Sequence, residues 1–266
     1  MPVTYHRRQR AVKQSIWATL YFFLLAPGLA LASDLPETIR AIKPSIVGIG
    51  TSQKTRSPAV VFFGTGFAVG DGLTIVTNAH VIPPLLDEAR KESLIVLIGQ
   101  GSEYDAREAR VLLSDKGRDL ALLKIAGPPL PALKIGDSTR AKEGQPLAFT
   151  GYPLAMALGL YAATHRATLS AITPIVRPPP NARQLNAVTV ARVREGPFTI
   201  FQLDGTAYPG NSGSPLYDVE TGEVLGIINM VFVKGTKESA ITSPSGISYA
   251  IPSQYIKTIL ERNGKQ

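Results

Sequence analysis

The hydrophobic positions of the chain fall into short segments rich in Val, Ile, Leu and Thr, and Gly, Pro and Asp separate these segments. This pattern is typical of β-strands joined by turns. In the first half of the chain it predicts six strands, and Asp71-Gly72 is a hairpin turn signal between the second and the third. The six predicted strands cover residues 45–50, 60–69, 73–77, 94–98, 109–113 and 121–125.

A second set of apolar segments follows residues 127–145, where Pro and Gly break the pattern and predict a linker. Two antiparallel β-barrels of about six strands each satisfy both sets and leave few strand edges exposed. Ser253 is predicted to cap a short C-terminal helix. We therefore predict a mainly β protein, with the first barrel in residues 33–135 and the second barrel plus the helix in 136–266. The second set covers residues 147–150, 167–172, 187–193, 199–203, 215–217, 224–233 and 247–250.

The first 32 residues have the layout of a secretory signal peptide. They contain no acidic residue, begin with a basic region, continue with an apolar run over 16–25, and end in the small-x-small site Ala30-Leu31-Ala32. The sequence therefore predicts export, to the periplasm or out of the cell, with cleavage near Ala32. The alternative is an uncleaved anchor, because the 17 residues of 16–32 are at the lower limit for spanning a bilayer. Contact with a membrane is expected only through this segment.

Composition excludes several other classes of protein. With 18% charged and 44% hydrophobic residues the chain is not disordered, and without Cys it has no disulfide, thiolate or redox site. Removing residues 1–32 leaves 24 basic against 20 acidic residues, a net charge of +4, without a basic cluster that would bind nucleic acid. His80 and His165 are then the remaining histidines. No acid cluster lies near His165, so we predict no metal site, no cofactor and no function for that residue.

Two residues of the first predicted barrel are suited to proton transfer. His80 directly follows an apolar strand, where a rigid imidazole near solvent can act as a general base; the alternative is a His that merely ends the strand. Asp119 stands at the mouth of another apolar strand, where burial is costly unless the carboxylate is hydrogen-bonded. A His Nδ1–H would satisfy Asp119 and fix the imidazole tautomer, although Asp119 could equally be a turn residue.

A Gly-rich turn at residues 209–215 precedes a short strand of the second predicted barrel. Gly210 and Gly213 stand on either side of Ser212, so backbone N–H groups can converge beside the serine hydroxyl and form an oxyanion hole. A plain surface turn is the alternative. Taken with His80 and Asp119, the order and spacing favour a Ser-His-Asp triad that straddles the cleft between the two barrels, where substrates commonly bind.

Six motifs, in consistent order over about residues 38–260, resemble the HtrA (Deg) branch of the trypsin-like serine proteases. This resemblance implies a double β-barrel endopeptidase in which Ser212 is the nucleophile, His80 the general base and then the general acid, and Asp119 the residue that orients His80. The backbone N–H groups of Gly210 and Ser212 would stabilise the oxyanion. The motifs lie at residues 64–67, 76–82, 119–125, 135–138, 209–216 and 246–253.

The same resemblance implies protein or peptide substrates, and we expect unfolded ones. The trypsin-like arrangement also predicts the pocket for P1, the residue on the amino side of the scissile bond. No Asp stands at the base position, Thr206, so a cationic P1 side chain would lose hydration without gaining a countercharge. We therefore expect small or medium aliphatic P1 residues. The predicted pocket wall consists of Thr206, Ala207, Tyr208, Asn229, Met230 and Val231.

The chain departs from the pattern of that family at two places. Ser214 stands where the family usually has Gly; if the site needs a positive φ, Ser costs about 1 kcal/mol and could loosen the oxyanion turn. The chain also ends shortly after the second barrel, so we expect no PDZ domain of the kind these proteases commonly carry. Two alternatives stay open: an inactive binding module, favoured if Ser214 distorts the turn, and an esterase on the same site. The Pro-rich segment 177–196 suggests no role.

Overall fold

The computed structural model describes residues 35–101, 103–175, 198–229 and 246–265, in which the chain forms twelve strands and three α-helices. Strands β1 to β6 form the first closed antiparallel barrel, in the order β1-β2-β3-β6-β5-β4. This confirms the first predicted barrel. Its strands are β1 (Ile46–Ser52), β2 (Val60–Val69), β3 (Thr74–Thr77), β4 (Ser93–Gln100), β5 (Glu103–Asp115) and β6 (Leu120–Ile125).

Strands β7 to β12 form a second closed antiparallel barrel, in the order β10-β11-β12-β9-β8-β7. The mainly β fold of two six-stranded barrels with a short C-terminal helix is thus confirmed. The strands are β7 (Pro146–Gly151), β8 (Ala163–Ile175), β9 (Phe198–Asp204), β10 (Pro215–Asp218), β11 (Val224–Ile228) and β12 (Ile247–Pro252). The helices are α1 (Leu35–Ile42), α2 (Ala155–Leu158) and α3 (Ser253–Asn263).

Buried apolar side chains form one cluster inside each barrel and a third cluster between the barrels. Burial on both faces explains why the first four residues of β6 are apolar: Leu123 points into the first barrel, and Leu120 and Leu122 point towards the second. All three leucines are fully buried, and burying each side chain stabilises the fold by about 1.5–3 kcal/mol relative to leaving it exposed. Burial on both faces fixes the position of this strand, and with it the position of Asp119 at its start.

The connection between the barrels is more ordered than a free linker. Leu133 pairs with Val69 of the first barrel, and two residues later Ile135 pairs with Val224 of the second. A 3₁₀ turn at Ser138–Arg140 follows. The predicted linker therefore joins the barrels while its residues are hydrogen-bonded to both of them.

Several predicted elements need correction or lie outside the described residues. β5 and β8 begin well before the predicted segments, at Glu103 and Ala163, because the added residues are mostly polar or exposed and carry no apolar pattern. The predicted strand at 187–193 lies outside the described residues, as do the end of the predicted strand 224–233, the Pro-rich segment 177–196 and the signal peptide with its cleavage site at Ala32.

The start of the C-terminal helix also differs from the prediction. Pro252 is the N-cap residue of α3, and Ser253 is the first helical residue. The Ser253 hydroxyl donates to the carbonyl of Gly136, 2.9 Å away, so it ties the helix to the connection between the barrels instead of capping it. Within the described residues, no helix is both long and apolar enough to cross a membrane.

Candidate active site

His80 and Asp119 are brought together by the pairing of the strands that carry them. His80 lies in a 3₁₀ turn directly after β3, and Asp119 directly precedes β6. Because β3 and β6 are antiparallel neighbours with Thr77 opposite Ala121, the end of one strand meets the start of the other. The backbone N–H of His80 donates to Asp119 Oδ1 at 2.9 Å, and the N–H of Ala79 donates to the Asp119 carbonyl at 3.2 Å.

A line of side-chain hydrogen bonds runs from the first barrel to the second. His80 Nδ1 lies 2.6 Å from Asp119 Oδ2, and His80 Nε2 lies 2.9 Å from Ser212 Oγ. Ser212 belongs to the turn before β10, so the line crosses the interface between the barrels. The Asp119 side chain is 7% exposed and the His80 side chain 32%, which leaves the imidazole within reach of a substrate. The three residues that sequence analysis singled out are therefore in hydrogen-bond contact.

The Asp119 carboxylate is buried and surrounded by donors. Burial would raise its pKa, but the hydrogen bond and charge of His80 and the hydrogen bond from Asn229 outweigh that effect, so the pKa lies below its usual value. The Asn229 amide donates to Oδ2 at 2.7 Å. Asp119 is thus held as a carboxylate, which can accept Nδ1–H of His80 and stabilise a positive charge on the imidazole.

The turn that carries Ser212 is shaped by two glycines with positive φ. Gly210 has φ +101° and Gly213 has φ +89°. A Cβ on Gly210 would overlap the carbonyl oxygen of Tyr152, and one on Gly213 would overlap that of Thr65, so side chains are excluded at both places. Thr65 Oγ1 also donates to the Gly210 carbonyl at 2.7 Å, which fixes the orientation of that peptide.

The amides on either side of Asn211 remain available to a ligand. Among the described residues, neither the Gly210 N–H nor the Ser212 N–H has a hydrogen-bond acceptor, whereas the N–H of Asn211 donates to the Tyr208 carbonyl at 2.9 Å. Two free N–H groups beside a serine hydroxyl can bind an oxygen that carries negative charge.

Ser214 does not adopt the conformation that would make it costly. Among the described residues, only Lys91, Asp119 and Leu154 combine a side chain with a positive φ. Ser214 is fully buried, and its Oγ lies against Gly151, where a Cβ would overlap it. The condition under which Ser214 would strain the backbone of the oxyanion turn is therefore not met.

The predicted wall of the P1 pocket is only partly described. Ala207 is 6% exposed, and its N–H donates to the Ser248 hydroxyl at 2.8 Å. The side chain of Asn229 is hydrogen-bonded to Asp119, and the role of Asn229 in the pocket wall stays a prediction. The other residues of this set are Thr206 and Tyr208, which are half-buried, and Met230 and Val231, which lie outside the described residues.

His165 lies in β8, and its side chain faces the interior of the second barrel. Its ring stacks on that of Phe149, with centroids 5.0 Å apart, and lies 5.9 Å from the ring of Tyr208. Burial lowers the pKa of His165, so the imidazole is neutral near pH 7. In the described part of the chain no group of three or more His, Asp or Glu side chains could hold a metal ion.

Two polar residues complete the site in roles that the sequence did not indicate. Asn229 follows β11 directly, and its side chain reaches Asp119 from the second barrel. Thr65 lies in the middle of β2 and holds the Gly210 peptide. Both are buried polar residues in apolar strand segments, and that combination of residue type and place is the signal that could have identified them.

Comparison with protein families gives one match that covers most of the chain. The model of the family described as "Trypsin-like peptidase domain" matches residues 64–227, which include His80, Asp119 and Ser212.

Several curated relatives are similar over most of this chain. "Probable periplasmic serine endoprotease DegP-like" of Pseudomonas fluorescens is 32% identical over 87% of this chain and 51% of its own length. The protein of the same name in Halomonas elongata is 26% identical over 90% of this chain and 52% of its own length. "Serine protease HTRA1A" of Danio rerio is 29% identical over 85% of this chain and 40% of its own length. The chain thus spans about half the length of these relatives or less.

A solved structure shares the fold. "HtrA-type protease AlgW with decapeptide" superposes with a TM-score of 0.64 and 21% identity over 88% of this chain and 68% of that one. The resemblance to HtrA-type trypsin-like proteases that the motifs indicate is confirmed by these comparisons.

Proposed function

We propose, from the premise that this chain belongs to the trypsin-like peptidase domain family, that it is a serine endopeptidase working through an acyl-enzyme. The observation that carries the proposal is the unbroken hydrogen-bond line from Asp119 through His80 to Ser212. His80 lies within hydrogen-bond distance of both Asp119 and Ser212, which supports a reaction by acyl transfer.

In the proposed reaction Ser212 Oγ attacks the carbonyl carbon of the scissile peptide bond while His80 Nε2 takes its proton. Asp119 accepts the Nδ1–H of His80 and stabilises the imidazolium that forms. The oxyanion of the tetrahedral intermediate accepts hydrogen bonds from the N–H groups of Gly210 and Ser212. His80 then protonates the leaving amine, the C–N bond breaks, and a water molecule activated by His80 hydrolyses the acyl-enzyme. Each oxyanion donor contributes about 10²- to 10³-fold to the rate.

The relatives support proposals about substrate and location. The structures of AlgW contain a tripeptide or a decapeptide, and two relatives are named periplasmic endoproteases. We propose that the substrates are proteins or peptides, mainly unfolded chains. We also propose that the protein is exported and cleaved near Ala32.

The proposal is tested by incubating the chain with a fluorophosphonate and, separately, with an unfolded protein. We expect a covalent adduct on Ser212, located by mass spectrometry, and peptides that begin and end at internal bonds. A chain that forms neither adduct nor products would be the inactive binding module, and a chain that hydrolyses short-chain esters but no protein would be an esterase.

We expect the P1 pocket to prefer aliphatic side chains. Thr206 supplies no countercharge at the predicted pocket base, and Ala207 and Tyr208 extend its apolar wall. We expect cuts after Val, Ala, Ile and Leu, with little discrimination among them, because one methylene changes binding by only about 1–3 kcal/mol. A cleavage map of an unfolded protein measures this directly, and a map dominated by cuts after Lys and Arg would contradict the proposed pocket.

Asn229 is expected to support catalysis through Asp119. Asn229→Ala removes a buried donor to Asp119 Oδ2, which costs about 1–3 kcal/mol, so kcat/KM should fall about tenfold. Asn229→Asp places a second carboxyl beside Asp119 and should lower kcat/KM further, because like charges raise the pKa of one of the two. We expect measured kcat/KM values to decrease from the wild type to Asn229→Ala and again to Asn229→Asp. Equal kcat/KM values in all three proteins, or a lower kcat/KM for Asn229→Ala than for Asn229→Asp, would exclude this role.

A further inference from the structure

The turn that delivers Asp119 is held by the C-terminal helix. Arg118 immediately precedes Asp119, and its guanidinium lies over the ring of Tyr255 in α3, 5.4 Å from the centroid. Asp115 at the end of β5 accepts from the Arg118 N–H at 3.0 Å and from Arg118 Nη1 at 3.1 Å. Arg262, at the other end of α3, lies 3.6 Å from the same carboxylate. Two side chains of α3 therefore reach the turn at 115–118.

The same tyrosine also contacts the second barrel. The Tyr255 hydroxyl accepts a hydrogen bond from the N–H of Thr199 at 3.0 Å, and its ring meets that of Phe198 edge to face, with centroids 5.9 Å apart. Both residues lie at the start of β9. One half-buried ring thus joins β9 of the second barrel to the residue before Asp119 in the first.

This link matters because the triad is divided between the barrels. Asp119 has φ +57°, a left-handed conformation that is uncommon for a residue with a side chain, although Asp adopts it more readily than most, so the contacts of the turn help to maintain it. A shift of the turn would lengthen the bond between Asp119 Oδ2 and His80 Nδ1, now 2.6 Å, and turn the imidazole away from Ser212 Oγ. We infer that Tyr255 is a positioning residue for the triad, acting on Asp119 through Arg118. The inference rests on the proposed function and adds a residue to it.

Tyr255→Leu keeps an apolar side chain on α3 but removes the ring beneath Arg118. We expect kcat to fall about tenfold with KM within about twofold of the wild type, because misplaced catalytic groups slow the chemical step and the pocket is untouched. Arg118→Leu should have a similar effect, and the double variant should lose little more than either single variant, since the two residues act as a pair. Tyr255→Phe keeps the ring and should restore kcat to within about threefold.

Ile256→Val is the matched control, because Ile256 is fully buried on the same helix and has neither a ring nor a polar group that could hold the Arg118 guanidinium. It should lower Tm while leaving kcat unchanged. If Tyr255→Leu lowers Tm and leaves kcat unchanged as well, its role is purely structural and the inference is wrong.

A second measurement separates this inference from the proposed function. The Nδ1 proton of His80, held in a short bond to Asp119, should give a downfield ¹H NMR resonance in the wild type and in Tyr255→Phe. In Tyr255→Leu we expect that resonance to move upfield or disappear. This readout needs no turnover: an inactive wild type would overturn the proposed function, whereas an unchanged resonance in Tyr255→Leu would overturn the positioning role.

Discussion

Replacing Ser212 with Ala is expected to abolish both peptide hydrolysis and fluorophosphonate labelling while the fold persists. The hydroxyl makes its hydrogen bond to His80 Nε2, 2.9 Å away, so its loss costs the fold about 1 kcal/mol. The rate should fall on the order of 10⁶-fold, as it does when the nucleophile of such a triad is removed, and the oxyanion donors should retain a small residual catalysis. Rates on an unfolded protein, together with Tm, measure both effects.

Ser214→Ala is the matched control for this variant. Ser214 lies two residues further along the same turn, is fully buried, and its Oγ has no hydrogen-bond partner among the described residues. Its removal should therefore leave hydrolysis within about threefold of the wild type. If Ser212→Ala hydrolyses protein at the wild-type rate, Ser212 is not the nucleophile, and if it loses only ester hydrolysis the peptidase proposal fails.

The fold was predictable where burial leaves a pattern in the sequence. β2 coincides with its predicted bounds because all of its residues from Thr65 onwards are buried and apolar or small. β5 is much longer than predicted, because its first residues, from Glu103, are mostly exposed and charged, yet their backbone pairs with that of β4. Backbone pairing of this kind depends on the neighbouring strand. The local pattern of side chains carries no information about that strand.

The site was predictable to the extent that its chemistry is concentrated in local motifs. Residues 209–215 form the proposed oxyanion turn in seven consecutive positions, and both of its glycines with positive φ are present there. The bond between Asn229 and Asp119 could not be predicted in the same way, because it joins residues 110 positions apart. Tyr255 is likewise 137 positions from Arg118, so only the packing of α3 against the first barrel brings the two together.

Replacing His80 with Ala is expected to be as damaging as replacing Ser212. Without the imidazole, no group accepts the proton of Ser212 Oγ, and the buried Asp119 carboxylate loses its closest donor, at 2.6 Å. We expect a loss on the order of 10⁶-fold in kcat. His165→Ala is the control: that imidazole packs on Phe149 in the second barrel, so its removal should lower Tm and keep most of the activity. The reverse pattern, an active His80 variant and an inactive His165 variant, would move the base to His165.

The role of His80 has a second check in the double variant Ser212→Ala/His80→Ala. If His80 acts only by taking the Ser212 proton and returning it to the leaving amine, removing His80 should not lower the rate further once the Ser212 hydroxyl is gone. The double variant should then hydrolyse an unfolded protein as slowly as either single variant, and no slower. A second, multiplicative loss would mean that His80 also promotes hydrolysis independently of Ser212, for example by activating water directly, so that proton transfer with Ser212 would not be its only role.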